Sequence, residues 1–179
     1  MASWSAIARR ARVPLGFVFA ILYFWLAQPT VKSILIGTTL VILGLMIRAV
    51  ASGQLQKNQQ LATEGPYAYT RNPLYLGSLI LSVGFALAAR SWWIVGGILL
   101  LFFAIYLPVI RAEEVFLRER FPQFEDYARR VPRLFPRVSA DRNSGAFSWD
   151  LYWKHREYNA TLGAAAMLVA LVAKMLRWP

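Results

Sequence analysis

The sequence predicts an all-α, polytopic membrane helix bundle of about five transmembrane helices, built as a single membrane domain over residues 1–179. Composition is the first reason. Apolar residues make up 58% of the chain and charged residues only 16%, well below the roughly one quarter that soluble domains carry. The mean hydropathy is +0.42. Much of the molecular surface is therefore expected to face lipid, and a chain of 179 residues leaves room for one compact unit.

The second reason is a series of apolar stretches separated by short polar joints, most of them long enough to cross a hydrocarbon layer about 30 Å thick. The first stretch follows an arginine cluster and also resembles a signal peptide, but no small-residue cleavage site follows, which favours a retained helix. Because it is short, the sequence leaves open whether it crosses the whole bilayer. The predicted spans are residues 13–27, 31–50, 74–89, 92–110 and 160–176.

Two longer polar segments, residues 54–73 and 111–158, are expected on the same side of the membrane. With five spans and the N-terminus in the cytoplasm, 16 of the 20 Lys and Arg residues fall inside and four outside, as the positive-inside rule requires. Residues 111–137 mix charged with apolar side chains, which predicts an amphipathic helical segment along the membrane after the fourth span. The two segments can therefore meet in the cytoplasm and form one site.

The charge balance and the lack of cysteine exclude several functions. A net charge of +11 would indicate nucleic acid in a soluble protein, but topology alone accounts for it here, so no nucleic-acid partner is expected. The absence of cysteine excludes disulfides, cysteine metal sites and thiol catalysis. No metal site and no obligatory protein partner are predicted, and the sequence leaves the oligomeric state open.

Two features carry polar chemistry at the membrane boundary. The first is the loop Glu64 to Gly77 at the mouth of the third span, which contains proline, glycine, three tyrosines, Arg71 and Asn72; taken alone, such residues also serve as interfacial anchors. The second is the pair Glu113 and Glu114 at the inner end of the fourth span. Neighbours on a helix point about 100° apart, so we expect one carboxylate to face a pocket and the other to pair with Arg111 or Arg118.

Together the two features resemble a known superfamily. The loop reads Gly-Pro-Tyr-x-Tyr-x-Arg-Asn-Pro-Leu-Tyr-Leu-Gly from Gly65. It is followed by Glu-Glu-x-x-Leu-x-x-x-Phe from Glu113 and by Tyr-x-x-x-Val-Pro-Arg-Leu-Phe-Pro from Tyr127. This order and spacing are similar to those of the isoprenylcysteine carboxyl methyltransferase and phospholipid N-methyltransferase superfamily, in its bacterial integral membrane form. The resemblance covers residues 65–137 and is specific for the superfamily, though not for the substrate.

The resemblance implies an integral membrane methyltransferase, placed in the bacterial inner membrane, that uses S-adenosylmethionine. Its cofactor needs cations for a carboxylate, acceptors for an amino group and hydroxyls, and an aromatic slot for adenine. If the acceptor is an amine, Glu114 can take its proton; if it is a carboxylate, Arg118 or Arg133 can orient it. The residues implied in cofactor binding are Tyr67, Arg71, Asn72, Tyr75, Gly77, Glu113, Glu114 and Tyr127, and those implied in catalysis are Glu114, Arg118 and Arg133.

One position departs from the pattern. The eukaryotic carboxyl methyltransferases usually carry histidine where this chain has Asn72, and asparagine cannot act as a base near neutral pH. The single histidine, His155, lies outside the matched region and is interpreted as an interfacial or loop residue.

The predicted reaction is methyl transfer to a lipophilic, membrane-borne acceptor, either an isoprenylcysteine-like carboxylate or a phospholipid amine. The sequence does not choose between these acceptors. Two alternatives belong to other classes: a membrane sterol-type reductase that uses NADPH, and a non-catalytic membrane scaffold. The expected partners are thus the membrane itself and a lipid or lipophilic small molecule.

Overall fold

The computed structural model describes residues 4–56, 59–137 and 145–177, and for residues 4–13 it describes the backbone alone. Every regular element in these ranges is helical, which confirms the predicted all-α bundle. The helices are α1 (Trp4–Leu26), α2 (Val31–Ser52), α3 (Pro73–Ala89), α4 (Trp92–Leu101), α5 (Leu107–Arg120), α6 (Phe124–Arg130), α7 (Trp149–Lys154) and α8 (Tyr158–Arg177), with a 3-10 turn at Gly65–Ala68 and a π-helical turn at Phe102–Tyr106.

Three helices in the described part of the chain are long and apolar enough to cross a membrane: α2, α8 and the continuous helix Trp92–Arg120. Two further apolar helical stretches are shorter: Pro14–Leu26, which is the part of α1 with described side chains, and α3 (Pro73–Ala89). The chain is therefore a polytopic membrane protein. The first and third predicted spans correspond to these two shorter helices.

The helix that contains the fourth predicted span does not end at Ile110. The helix runs on to Arg120, so residues 111–120 continue the spanning helix and do not begin a separate amphipathic element. The reason is local. Between Arg111 and Arg120 there is no glycine or proline, and alanine, glutamate, leucine and arginine all favour helix.

This helix is long enough to bring the two glutamates to the far boundary of a hydrocarbon layer. Its 29 residues rise about 43 Å, whereas roughly 20 residues are enough to cross a bilayer core. If Trp92 marks one interface, Glu113 and Glu114 fall at the opposite boundary or just past it. In the π-helical turn the Leu107 N–H donates to the Phe102 carbonyl, and Pro108 follows at once without an N–H of its own.

Helices α2 and α3 approach so closely that their backbones touch. A Cβ built on Gly44 would lie 2.6 Å from the Gly77 carbonyl oxygen, and one on Gly37 would lie 2.5 Å from that of Gly84. Small residues at such contacts let membrane helices pack backbone to backbone. The α2–α3 pair is thus the rigid frame on which both ends of the bundle are built.

The end of the bundle formed by the C-terminal ends of α1 and α8 is closed by backbone and side-chain bonds. Thr30 and Ser33 form a reciprocal capping box at the start of α2. Lys174 of α8 donates to the carbonyl oxygens of Phe24 and Trp25, at 2.5 and 3.0 Å, where α1 runs out of internal donors. The Lys174 bonds thus hold the C-terminal ends of α1 and α8 together.

Replacing Gly44 with valine is expected to destabilise the protein, because the new side chain would overlap the backbone of α3. Overpacking of this kind costs about 1–3 kcal/mol. Gly96→Val is the matched control, since a Cβ there meets nothing within 4 Å. Thermal unfolding in detergent should show a lower midpoint for Gly44→Val alone. Equal midpoints for the two variants would contradict the backbone contact.

Candidate functional site

The loop before α3 and the segment after α6 are bonded to each other along the backbone. The Arg71 N–H donates to the Pro132 carbonyl oxygen at 2.9 Å, and the Arg137 N–H donates to that of Tyr69 at 3.1 Å. The Thr70 hydroxyl donates to the Arg133 carbonyl oxygen at 3.2 Å. Two segments that lie far apart in sequence, 69–72 and 132–137, therefore form one surface next to the end of α5.

Glu114 is the centre of this surface. It is 4% exposed, and both of its carboxylate oxygens accept charged donors. Oε1 lies 3.0 Å from Nη2 of Arg71, and Oε2 lies 2.8 Å from both Nε and Nη2 of Arg133. The Asn72 amide adds a bond of 3.3 Å to Oε1 and donates to the Arg133 carbonyl oxygen at 2.9 Å. One buried carboxylate thus connects the loop, the helix and the tail.

The cluster carries an excess of positive charge. Two guanidinium groups share one carboxylate, so Glu114, Arg71 and Arg133 together bear a formal charge of +1. Arg71 is deeply placed: its side chain is 11% exposed and Nη1 also donates to the Ala128 carbonyl oxygen. The Arg133 side chain is 44% exposed. Arg133 is therefore the cation that an anionic group arriving from outside can reach.

Glu113 points to a different side, as expected for helix neighbours. It is exposed, and its Oε1 accepts one hydrogen bond of 3.0 Å from the Tyr75 hydroxyl. The Tyr75 ring packs edge-on against Tyr106 with 6.0 Å between ring centroids. Glu113 therefore keeps acceptor capacity that Glu114 has already used.

The expected pairing of one of these carboxylates with Arg111 or Arg118 is wrong. Arg118 forms an ion pair with Glu125 of α6, in which both side chains are about half exposed, and its guanidinium lies over the Phe124 ring. Arg118 is paired with Glu125 of α6, and Glu114 is paired with Arg71 of the loop and Arg133 of the tail. Arg111 is exposed.

Three other residues that the sequence singled out lie within the packing. Tyr67 and Tyr127 are 6% and 4% exposed. The Tyr127 hydroxyl donates to the Tyr67 carbonyl oxygen at 2.7 Å, and the Tyr67 hydroxyl donates to that of Ala51 at 3.4 Å. Burial raises the pKa of both phenols well above the ordinary value, so they stay neutral donors. Gly77 lies in the contact between α2 and α3, where a Cβ would meet the Arg48 side chain.

Sequence reasoning missed an ion pair between Arg48 of α2 and Glu157, just before α8. Two bonds of 2.6 and 3.0 Å join the guanidinium to both carboxylate oxygens, and Arg48 also donates to the Ser78 hydroxyl. A lone arginine inside a predicted span was the available signal, because such a charge requires a partner. His155 lies nearby, with Nδ1 3.2 Å from the Ser52 carbonyl oxygen.

Glu114→Gln is expected to lower stability, because Arg71 would keep its charge in a buried position without a carboxylate. Losing one partner of a buried pair costs about 3 kcal/mol. The control is Glu113→Gln, in an exposed side chain, for which a change within about 0.5 kcal/mol is expected. Unfolding midpoints in detergent compare the two. A smaller loss for Glu114→Gln than for Glu113→Gln would overturn the assignment of Glu114 as the buried centre.

Comparison with known proteins assigns the family. The cobalt-zinc-cadmium resistance protein CzcN of Cupriavidus metallidurans is 35% identical over 150 residues, which cover 79% of this chain and 68% of that protein. The nickel-cobalt-cadmium resistance protein NccN of Alcaligenes xylosoxydans xylosoxydans is 34% identical over 124 residues, 69% of this chain and 57% of that protein. No solved structure matches the chain at a significant level. The family model of the phospholipid methyltransferases matches residues 12–123, confirming the resemblance read from the motifs, and the chain belongs to that family.

Proposed function

We propose that the protein transfers a methyl group from S-adenosylmethionine to a lipophilic acceptor held in the membrane. Membership of a methyltransferase family supports the reaction class. The observation that carries the proposal is the Glu114 cluster, because it presents a partly exposed cation, Arg133, next to α5, where the residue before Glu114 is the exposed carboxylate Glu113. Opposite charges at one membrane boundary suit a zwitterionic amino-acid group.

The donor set fits this cofactor. Its methionine carboxylate requires a cation, which Arg133 offers, and its amino group or ribose hydroxyls require an acceptor, which Glu113 offers. Tyr75 supplies an aromatic ring at the same place, held by its bond to Glu113. When bound, S-adenosylmethionine supplies an electrophilic methyl group on its sulfonium. The protein's own contribution is to orient both reactants and to exclude water.

Glu114, Arg71 and Asn72 act in this proposal as positioning residues. Both oxygens of Glu114 are occupied by donors, so its role is to hold Arg133 and the loop in place. If the acceptor is an amine, Glu113 is the carboxylate with a free lone pair to take the proton. Arg118, whose guanidinium lies over the Phe124 ring, belongs to the outer edge of the site. The buried Tyr67 and Tyr127 support the loop and α6 from the interior of the protein.

The acceptor is proposed to be lipid-borne because helix length puts the site near one boundary of a hydrocarbon layer about 30 Å thick. An isoprenylcysteine-like carboxylate and a phospholipid amine both reach this level. We also propose a bacterial inner membrane, with the N-terminus and the site in the cytoplasm, since the cation excess lies on that side of the predicted topology. The names of the two relatives state resistance to metals and name no acceptor.

Calorimetry of the purified protein in detergent is expected to detect binding of S-adenosylhomocysteine and none of NADPH. Glu113→Gln and Arg133→Gln should each weaken binding by about tenfold or more, which corresponds to about 1.4 kcal/mol. Glu119→Gln and Arg129→Gln are matched controls, because both are exposed charges of the same kinds on α5 and α6. Binding of NADPH without binding of S-adenosylhomocysteine would contradict the transferase and favour the reductase. Unchanged affinity in both Glu113→Gln and Arg133→Gln would contradict the assignment of these residues to the cofactor site.

The orientation can be tested with single cysteines, since the chain has none of its own. Cysteine at Gln59 or Glu119 should react with a membrane-impermeant maleimide only after cells are permeabilised. Cysteine at Lys32, at the other end of the bundle, should react in intact cells. Labelling of positions 59 and 119 from opposite sides would contradict a shared site, and labelling of both from outside would reverse the orientation.

A further inference from the structure

Residues 147–158, which include α7 and are called the α7 segment below, carry five aromatic side chains that the proposed reaction does not use. Consecutive rings touch, with centroid distances of 4.9, 5.7, 5.7 and 5.2 Å. In order along the chain, these rings belong to Phe147, Trp149, Tyr152, Trp153 and Tyr158. Trp149 and Trp153 are nevertheless 65% and 57% exposed. An exposed aromatic surface of this kind indicates contact with something other than water.

The ends of two membrane-crossing helices hold the α7 segment in place. At the end of α2, the Ser148 N–H donates to the Gly53 carbonyl oxygen at 2.8 Å, and a Cβ built on Gly53 would overlap the Phe147 ring. At the start of α8, the Glu157 N–H donates to the Tyr152 carbonyl oxygen at 3.3 Å. Both α2 and α8 are long and apolar enough to cross a membrane. Since one helix ends here and the other begins, the α7 segment lies at a boundary of the hydrocarbon layer.

This level of the membrane suits tryptophan and tyrosine. Their rings are apolar, while the indole N–H and the phenol hydroxyl are polar, so both parts are satisfied where hydrocarbon gives way to headgroups. In water the rings would keep unfavourable apolar surface, and deep in hydrocarbon the N–H groups would lose their partners. Only residues 155–157 separate α7 from α8, so the exposed rings stay close to this level. The headgroup layer is therefore the environment that matches the aromatic surface.

Two cations beside the rings are available to an anion from outside the protein. Lys154 is the last residue of α7 and Arg156 follows it closely, and both are exposed. Among the residues that the structure describes, neither side chain has an ion-pair or hydrogen-bond partner. Of the two acids in the α7 segment, Glu157 is already bound to Arg48 by two bonds, which leaves the exposed Asp150. Two free cations against one free anion favour a negatively charged partner.

We propose that the α7 segment is a binding surface for anionic lipid headgroups, in which Trp149 and Trp153 lie among the headgroups and Lys154 and Arg156 bind the lipid phosphates. The inference does not depend on the proposed reaction. The exposed rings set the depth of the surface, and the two cations set its preference for lipids of negative charge. A zwitterionic headgroup also has a phosphate, but its own cation offsets the attraction to lysine and arginine.

The depth of the surface can be measured with a bimane probe on a single cysteine, with the full-length protein in phosphatidylcholine liposomes. Trp153→Cys places the probe on α7. Glu119→Cys is the matched control, because Glu119 is exposed and lies 27 residues, or about 40 Å of helix, beyond Trp92. A phospholipid with a spin label high in its acyl chain should quench the probe at position 153 more strongly than the probe at position 119. An aqueous nickel chelate should show the reverse order.

The charge preference can be measured with the same probe at position 153. Spin-labelled phosphatidylglycerol should be enriched around it about fivefold over spin-labelled phosphatidylcholine at the same mole fraction, which corresponds to about 1 kcal/mol. Lys154→Gln combined with Arg156→Gln should remove the enrichment. The left-handed backbone of Arg156, with φ of 54°, is kept by glutamine, which is unbranched at Cβ as arginine is. Arg120→Gln combined with Arg129→Gln removes two exposed cations of α5 and α6 and should leave the enrichment unchanged.

Salt tests the cations without replacing them, because raising the ionic strength screens exposed charges and should reduce the phosphatidylglycerol enrichment. A probe at position 153 that only the nickel chelate reaches would place the α7 segment in water and overturn the proposal. A probe that neither quencher reaches would indicate a protein contact and would overturn it as well. Equal quenching by the two spin-labelled lipids, or an enrichment that survives both salt and the loss of Lys154 and Arg156, would contradict the preference for anionic headgroups.

Discussion

The arrangement of the whole membrane-boundary surface depends on one buried carboxylate. Glu114 receives Arg71 from the loop before α3 and Arg133 from the tail, and its own position is set by the long helix that crosses the bilayer. A carboxylate at 4% exposure is costly unless it is paired and fully hydrogen-bonded. That cost makes the arrangement specific, because any other docking of loop and tail would leave a charge buried without a partner.

The sequence predicted where the helices lie better than it predicted which side of a helix each residue faces. Apolar stretches and turn signals located the helices, and the spacing of the motifs identified the loop, the glutamate pair and the tail. Which glutamate is buried could not be deduced, because the π-helical turn at Phe102–Tyr106 inserts an extra residue into the helix. One residue rotates everything that follows by about 100°. Glu114 therefore takes the direction that Glu113 would have in an uninterrupted helix, and Glu113 takes that of Ala112.

The sequence also could not predict which residues form ion pairs when the two partners lie far apart in the chain. Arg48 stands alone in an apolar helix, and the need for a counter-charge follows from the sequence, but Glu157 lies 109 positions away. The close approach of α2 and α3 explains why the pair forms. With glycines at Gly44 and Gly77 the two helices touch, so the Arg48 side chain passes over Gly77 and extends to the start of α8.

The two buried charge clusters differ in balance, and this difference decides what each can bind. At Glu114 two arginines share one carboxylate, so the cluster retains positive charge that a carboxylate-bearing cofactor can neutralise. At Arg48 one arginine faces one glutamate, so that pair carries no net charge. Tyr75 bonds Glu113, the neighbour of Glu114, and its ring packs edge to face against Tyr106, so the aromatic pair adjoins the charged surface at the end of α5.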